Sequence, residues 1–150
     1  MKNVQPTKPA GLDALTIEVL EGLSRFPDAR PIVLGGYLAL KHYVDYRLTH
    51  DADAWWDGIA GEKERADART AILLVMSGCA QRLGLALNTR RFGDTESWEL
   101  LRDGRKVFSF QISARTLQLE PYQPSPWPPL QIETLADSLV SQGVPEPSSL

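Results

Sequence analysis

The chain has 150 residues, 43% of them hydrophobic, which is the size and apolar content of one globular domain with a buried core. A formal net charge of −3 and an isoelectric point near 5.4 argue against a protein that binds nucleic acid over its whole surface. With one cysteine, no signal-peptide pattern and no apolar run of membrane-spanning length, we expect a cytoplasmic protein without disulfides, a cysteine-based zinc site or a membrane partner.

The first third of the chain predicts short helices and strands in alternation. Apolar residues at helical spacing predict an amphipathic helix over residues 12–25. The apolar run 31–34 predicts a strand that ends at the glycine pair Gly35-Gly36. Beyond the glycines, a period near 3.6 predicts a second helix over residues 37–48.

The middle of the chain predicts a strand and then a long helix. The strand covers Asp53 to Trp56, where alternation should turn one of the two tryptophans into the core. The helix runs from Glu62 to Leu83. Its buried stripe is expected at Ile72, Met76, Cys79 and Leu83. The cysteine is therefore interpreted as a core residue rather than a nucleophile.

Strand patterns dominate after residue 84. A weak strand is predicted over 85–87, and stronger ones over 98–101 and 106–112 flank Asp103-Gly104, a pair typical of a tight β-hairpin. In the second arm of the hairpin, apolar residues alternate with Ser109 and Gln111, which predicts one buried face. A final short helix is expected from Glu133 to about Ser141.

Together these elements predict an α/β or α+β domain, in which one small mixed β-sheet is covered by helices. We expect the core to span residues 1–143 and to be followed by a disordered tail over 144–150. Five prolines between residues 120 and 130 exclude a helix or a central strand there. That segment is interpreted as an extended connector over the surface, or alternatively as a proline-motif ligand for another domain.

Charge is unevenly distributed along the chain. Residues 80–119 carry seven Lys or Arg against four Asp or Glu, whereas residues 120–150 carry four acidic residues and no basic ones. The basic stretch is interpreted as a solvated hairpin face, with a cationic surface for phosphates as the alternative.

The stretch that indicates chemistry runs from the glycine pair to two aspartates. A glycine turn that opens a helix exposes backbone N–H groups to a phosphate at the positive end of the helix dipole. Asp51 and Asp53 are two residues apart on a predicted strand, so both side chains leave from one face and can bind a single hard cation such as Mg²⁺. Carboxylates that hold Mg²⁺ beside a phosphate-binding turn are the minimum requirement for phosphoryl or nucleotidyl transfer.

The segment Arg47-Leu-Thr-His-Asp-Ala-Asp53, after Gly35-Gly36, resembles the signature of polymerase-β-type nucleotidyltransferases, in particular of AbiEii-like toxins of bacterial abortive-infection and toxin–antitoxin systems. The resemblance implies a minimal nucleotidyltransferase fold. It implies Asp51 and Asp53 as metal-binding catalytic residues, and a nucleotide-binding set of Gly35, Gly36, Tyr37, Arg47 and Thr49. The implied activity is transfer of a nucleoside monophosphate from an NTP to an acceptor, which for characterised relatives can be tRNA. A cognate antitoxin protein is an implied partner.

The chain departs from that family at three places. The family has a third carboxylate on a later strand, where the best counterpart here is Gln111, whose amide can bind a metal but cannot accept a proton near neutral pH. Tyr37 stands where the family has a small hydroxyl residue. The family's lysine falls on Leu135 or Gln142, neither of which is basic.

Three hypotheses for the function remain. The first is an active Mg²⁺-dependent nucleotidyltransferase with Gln111 in the third position. The alternative is a catalytically degenerate nucleotide-binding or interaction module of the same fold. The third is a structural or adaptor domain whose ligand face is the proline-rich segment.

Overall fold

The structure is a computed structural model, and it describes residue 6, residues 13–35, 51–114 and 121–134, and residue 137. The elements with defined bounds in this part of the chain are α1 (Ala14–Leu23), β1 (Ile32–Gly35), β2 (Asp51–Trp56), α2 (Glu62–Leu83), β3 (Ala86–Phe92), β4 (Thr95–Arg102), β5 (Arg105–Ala114), β6 (Gln123–Pro124) and β7 (Gln131–Ile132). A turn of 3₁₀-helix at Pro27–Ala29 links α1 to β1.

The strands form one mixed sheet in the order β3-β4-β5-β2-β1-β7-β6. The pairs β2·β5 and β1·β7 are parallel, and the others are antiparallel. Both α1 and α2 share a single core with one face of this sheet. The predicted α+β class, with a small mixed sheet covered by helices, is therefore confirmed. The described helices include none that is long and apolar enough to cross a membrane.

Each helix buries one face in the core. In α1 the buried residues include Val19, Leu20 and Leu23, and α2 buries Ile72, Met76 and Cys79 as predicted. The expectation that Leu83 belongs to the buried stripe is wrong, because Leu83 is 37% exposed. The helix ends beside it at Gly84, whose φ of 67° reverses the chain, and Leu85 turns inward in place of Leu83.

The predicted hairpin is confirmed at its turn. Asp103 and Gly104 have φ of 52° and 77°, the two left-handed positions of a tight hairpin turn. The strands are longer than predicted, since β2 already begins at Asp51 and β3 extends to Phe92. β3 lies at an edge of the sheet and is exposed along most of its length, so its side chains lack the apolar alternation that marks a half-buried strand.

The proline-rich segment is more deeply integrated than a surface connector. Trp127 and Leu130 are 4% and 1% exposed and belong to the core. The segment ends in β7, which pairs with β1, so the expectation of a connector over the surface is wrong. Apolar residues between the prolines pack inward although the prolines exclude a long strand.

The last predicted helix begins later than expected. Glu133 continues the path of β7, because its backbone N–H donates a hydrogen bond to the carbonyl oxygen of Leu34 at 3.2 Å. Asp137 is helical, and its N–H donates to Thr134 Oγ1 at 3.2 Å. The remainder of that helix, the helix predicted over 37–48 and the tail over 144–150 lie outside the described residues.

Candidate active site

The candidate site lies on the sheet face that α1 and α2 do not cover. Along β2, Ala52, Ala54 and Trp56 are buried in the core, at 0%, 3% and 3% exposure. Strand alternation therefore sends Asp51 and Asp53 to the opposite face, both from one short strand. This is the arrangement that the two-residue spacing predicts.

Neighbouring strands bring further polar groups to the aspartates. In the parallel β2·β5 pair, Asp51 lies opposite Ser109 and Asp53 lies opposite Gln111. On the other side of β2, Gly35 at the end of β1 lies opposite Asp53. Because adjacent strands are about 4.8 Å apart, the side chains of Asp53 and Gln111 start next to each other. The predicted site residues Asp51, Asp53, Gln111 and Gly35 are thus brought together.

Asp51 is contacted by two residues that the sequence analysis did not assign to the site. The fully buried Ser109 donates a hydrogen bond from Oγ to Asp51 Oδ1 at 2.7 Å. The Lys106 ammonium lies 3.3 Å from the same oxygen. Gln111 Nε2 in turn lies 3.5 Å from Ser109 Oγ, a weak hydrogen bond. Ser109 shares its strand face with Gln111, so two-residue alternation would have found it, whereas no local pattern marks Lys106.

The pKa of Asp53 is shifted by its surroundings. Burial raises the pKa of its carboxyl to about 6, the negative charge of Asp51 adds to the effect, and Lys106 opposes it. The fold therefore holds two carboxylates on one strand face although their charges repel. A divalent cation relieves this repulsion, and the oxygen donors present here, carboxylate, amide and hydroxyl, suit a hard ion such as Mg²⁺.

Gly35 is required by packing. A Cβ atom built on it would lie 2.1 Å from Nε1 of Trp55, because the indole crosses the backbone at that point. The glycines of positive φ in the described residues are Gly84, Gly93 and Gly104, so the backbone of Gly35 does not itself demand glycine. Close approach of Trp55 is therefore sufficient to explain this residue without a bound phosphate.

The basic stretch is largely ion-paired where it is described. Arg82 bonds to Glu18, Arg90 lies 3.7 Å from Glu99, and Arg91 lies 3.4 Å from Glu96. These pairs are consistent with the interpretation of a solvated face, since surface ion pairs of this kind keep a sheet edge soluble.

Part of the predicted site lies outside the part of the chain that the structure describes. Gly36, Tyr37, Arg47 and Thr49 lie outside the described residues, as do both positions aligned with the family's lysine. Within residues 51–114 and the other described segments, no three His, Cys, Asp or Glu side chains form a group that could hold a metal ion. At this site, β5 places the hydroxyl of Ser109 and the amide of Gln111 opposite the two aspartates.

Comparisons with known proteins identified no relative of this chain. No family model matches the chain, and neither a curated protein nor a solved structure matches it. The residues of the site and their arrangement therefore carry the information about function.

Proposed function

We propose that the protein is a Mg²⁺-dependent nucleotidyltransferase that transfers a nucleoside monophosphate from an NTP to an acceptor hydroxyl and releases pyrophosphate, with RNA such as tRNA as the acceptor class. One observation carries the proposal: Asp51 and Asp53 share a strand face, and they follow the glycine pair in the order of the nucleotidyltransferase signature. The reaction belongs in the cytoplasm, and a cognate antitoxin is the proposed protein partner.

The site residues that the structure describes each have a role in the proposed reaction. Asp51 and Asp53 would hold Mg²⁺, which when bound neutralises charge on the transferring phosphorus. Ser109 orients Asp51 through its 2.7 Å hydrogen bond to Oδ1, and Gln111 offers its amide oxygen beside Asp53. Because Gln111 cannot accept a proton near neutral pH, the proton of the attacking hydroxyl goes to an aspartate or to solvent.

The remaining roles rest on the family resemblance. Gly35, Gly36 and Tyr37 would form the turn that binds the triphosphate, and Arg47 and Thr49 would support it. Backbone N–H groups and an arginine are suitable donors for phosphate oxygens.

The test is incubation of the protein with each labelled NTP, Mg²⁺ and total RNA. We expect an RNA species to become labelled by the wild type and by Asp67→Ala, because Asp67 lies on α2 and pairs with Lys63. Asp53→Ala should abolish the labelling. Equal labelling by Asp53→Ala and the wild type would refute the proposed role of the aspartates.

A second candidate is a catalytically degenerate nucleotide-binding module, and the residue that favours it is Gln111 opposite Asp53. This candidate predicts that calorimetry detects binding of an NTP with Mg²⁺ while no turnover occurs. It also predicts that Gln111→Glu, which supplies the third carboxylate, confers labelling activity that the wild type lacks. Robust turnover by the wild type excludes it.

A further inference from the structure

Lys106 is the basic residue that the described structure brings to the aspartates. Its Nζ atom lies 3.3 Å from Asp51 Oδ1, and the side chains of both residues are 43% exposed. The contact joins β5 to β2, and both side chains reach solvent. An exposed ion pair of this kind contributes little to stability, so its place beside the aspartates calls for another explanation.

A β-bulge directs Lys106 into the site. Along β5, Phe108, Phe110 and Ile112 all face the core, and strict alternation would send residue 106 to the same side. The β4·β5 register shifts between Leu100, which pairs with Phe108, and Leu101, which pairs with Lys106. The extra residue turns Lys106 to the aspartate face. Bulges commonly re-aim a side chain beside an active site.

The contacts of Asp51 Oδ1 show which partner can be exchanged. Ser109 hydrogen-bonds this oxygen and the Lys106 ammonium lies 3.3 Å from it, so a cation that binds this oxygen competes with both of them. Ser109 is fully buried and fixed on β5, whereas Lys106 carries its charge on a flexible, exposed stem. Of these two, Lys106 is therefore the one that can move away from Asp51. Repulsion between its ammonium and a divalent cation acts in the same direction.

The formal charges of the site indicate what the displaced ammonium of Lys106 can bind. Asp51, Asp53 and Lys106 together carry one negative charge, and one Mg²⁺ converts the group to one positive charge. A polyphosphate is then attracted to the group, and the released lysine can donate three hydrogen bonds to its oxygens.

We propose that Lys106 is an exchangeable counter-ion and a phosphate-binding residue: it neutralises Asp51 in the empty site and binds a nucleotide phosphate once Mg²⁺ has taken its place. Metal and polyphosphate then bind cooperatively, because each favours the same position of the lysine. This inference rests on the proposed nucleotide-binding function.

The experiment compares Lys106→Met with the wild type by calorimetry at pH 7.5. The probes are Mg²⁺ alone and inorganic tripolyphosphate in the presence of Mg²⁺, so that no nucleobase is involved. The variant should bind Mg²⁺ alone several-fold more tightly, because a competing cation is gone. It should bind tripolyphosphate about tenfold more weakly, because a charge-assisted contact is lost. Lys106→Arg should restore most of the tripolyphosphate affinity.

Lys63→Met is the matched control. It removes the same charge and the same kind of ion pair, since Lys63 Nζ lies 2.9 Å from Asp67 on α2. We expect it to change neither affinity. Lys106→Met results that equal the wild type, or that weaken both affinities together, overturn the inference while the proposed function stands. A wild type that binds neither probe overturns both.

Discussion

Burial and the charge of Asp51 raise the pKa of Asp53 to about 6, and this residue therefore affects folding as well as function. The folded state binds the proton of Asp53 more tightly than the unfolded state does. Stability accordingly falls as the pH rises from about 4 to about 6, and the full cost is present at pH 7. Loss of stability at a functional residue is a common consequence of arranging charges for a ligand.

The first prediction concerns this cost. Asp53→Asn removes the charge at similar size, so we expect it to raise the free energy of unfolding at pH 7.5 by on the order of 1–3 kcal/mol. Near pH 4 the difference should disappear, because Asp53 is then protonated. Urea unfolding at both pH values measures this. The exposed turn residue Asp103 offers the control Asp103→Asn. An equal effect of Asp53→Asn at both pH values contradicts the prediction.

Gly35 gives a second prediction at the scale of one residue. Gly35→Ala places a methyl group 2.1 Å from Trp55 Nε1, so the indole must move and the free energy of unfolding should fall by about 1–3 kcal/mol. Gly58→Ala is the control, because no atom lies within 4 Å of the added Cβ. Thermal unfolding of both variants measures the difference. If the two variants melt together, packing against Trp55 does not explain the glycine.

Among the elements, the proline-rich segment differs most from its sequence-based interpretation. Its loop is closed by backbone hydrogen bonds from Ser125 N–H to Leu130 O at 3.1 Å and from Leu130 N–H to Trp127 O at 3.0 Å. The segment then continues into β7, which pairs with β1, the strand that ends at Gly35. This element therefore supports the site-bearing part of the sheet.

A third prediction tests that support. Leu130→Ala should lower the free energy of unfolding by about 2–4 kcal/mol, because Leu130 is fully buried in the core. Leu74→Ala makes the same substitution at a leucine that is 56% exposed, and should change stability by about 0.5 kcal/mol or less. Chemical denaturation compares the two. A surface connector would give equally small effects at both positions.

At the scale of the whole molecule, the site depends on three strands that are distant in sequence. β2 lies between β1 and β5, and it is this order that places Gln111 and Ser109 beside the aspartates. Such non-local pairing links ligand binding to global stability, because a ligand that binds only the folded chain shifts the folding equilibrium.

The fourth prediction uses this linkage. An NTP with Mg²⁺ at about 100 times its dissociation constant should stabilise the protein by about 2.7 kcal/mol and raise its melting temperature. Asp53→Ala should abolish this rise, whereas Asp67→Ala on α2 should keep it. Thermal unfolding with each of the four NTPs measures the effect. An adaptor domain whose ligand face is the proline-rich segment predicts no rise with any nucleotide.

Local patterns determined much of the fold. The periodicity of α1 and α2, the Asp103-Gly104 turn and the shared face of Asp51 and Asp53 are short-range features, and each was predictable because helix, hairpin and strand geometry repeat over a few residues. Short-range periodicity also marked Cys79 as a core residue and Gln111 as a member of the polar face.

Only the tertiary structure decided which strands become neighbours. The parallel pairs β2·β5 and β1·β7 join residues far apart in the chain, and a bulge turns Lys106 toward Asp51 against its strand alternation. The burial of Trp127 and Leu130 likewise follows from packing against the whole core. The sequence by itself therefore determined that Asp51 and Asp53 share one face of a strand. Alternation along β5 puts Ser109 on the same face as Gln111, but only the β2·β5 pairing places it beside Asp51. The contact with Lys106 and the raised pKa of Asp53 depend on tertiary structure that no local pattern specifies.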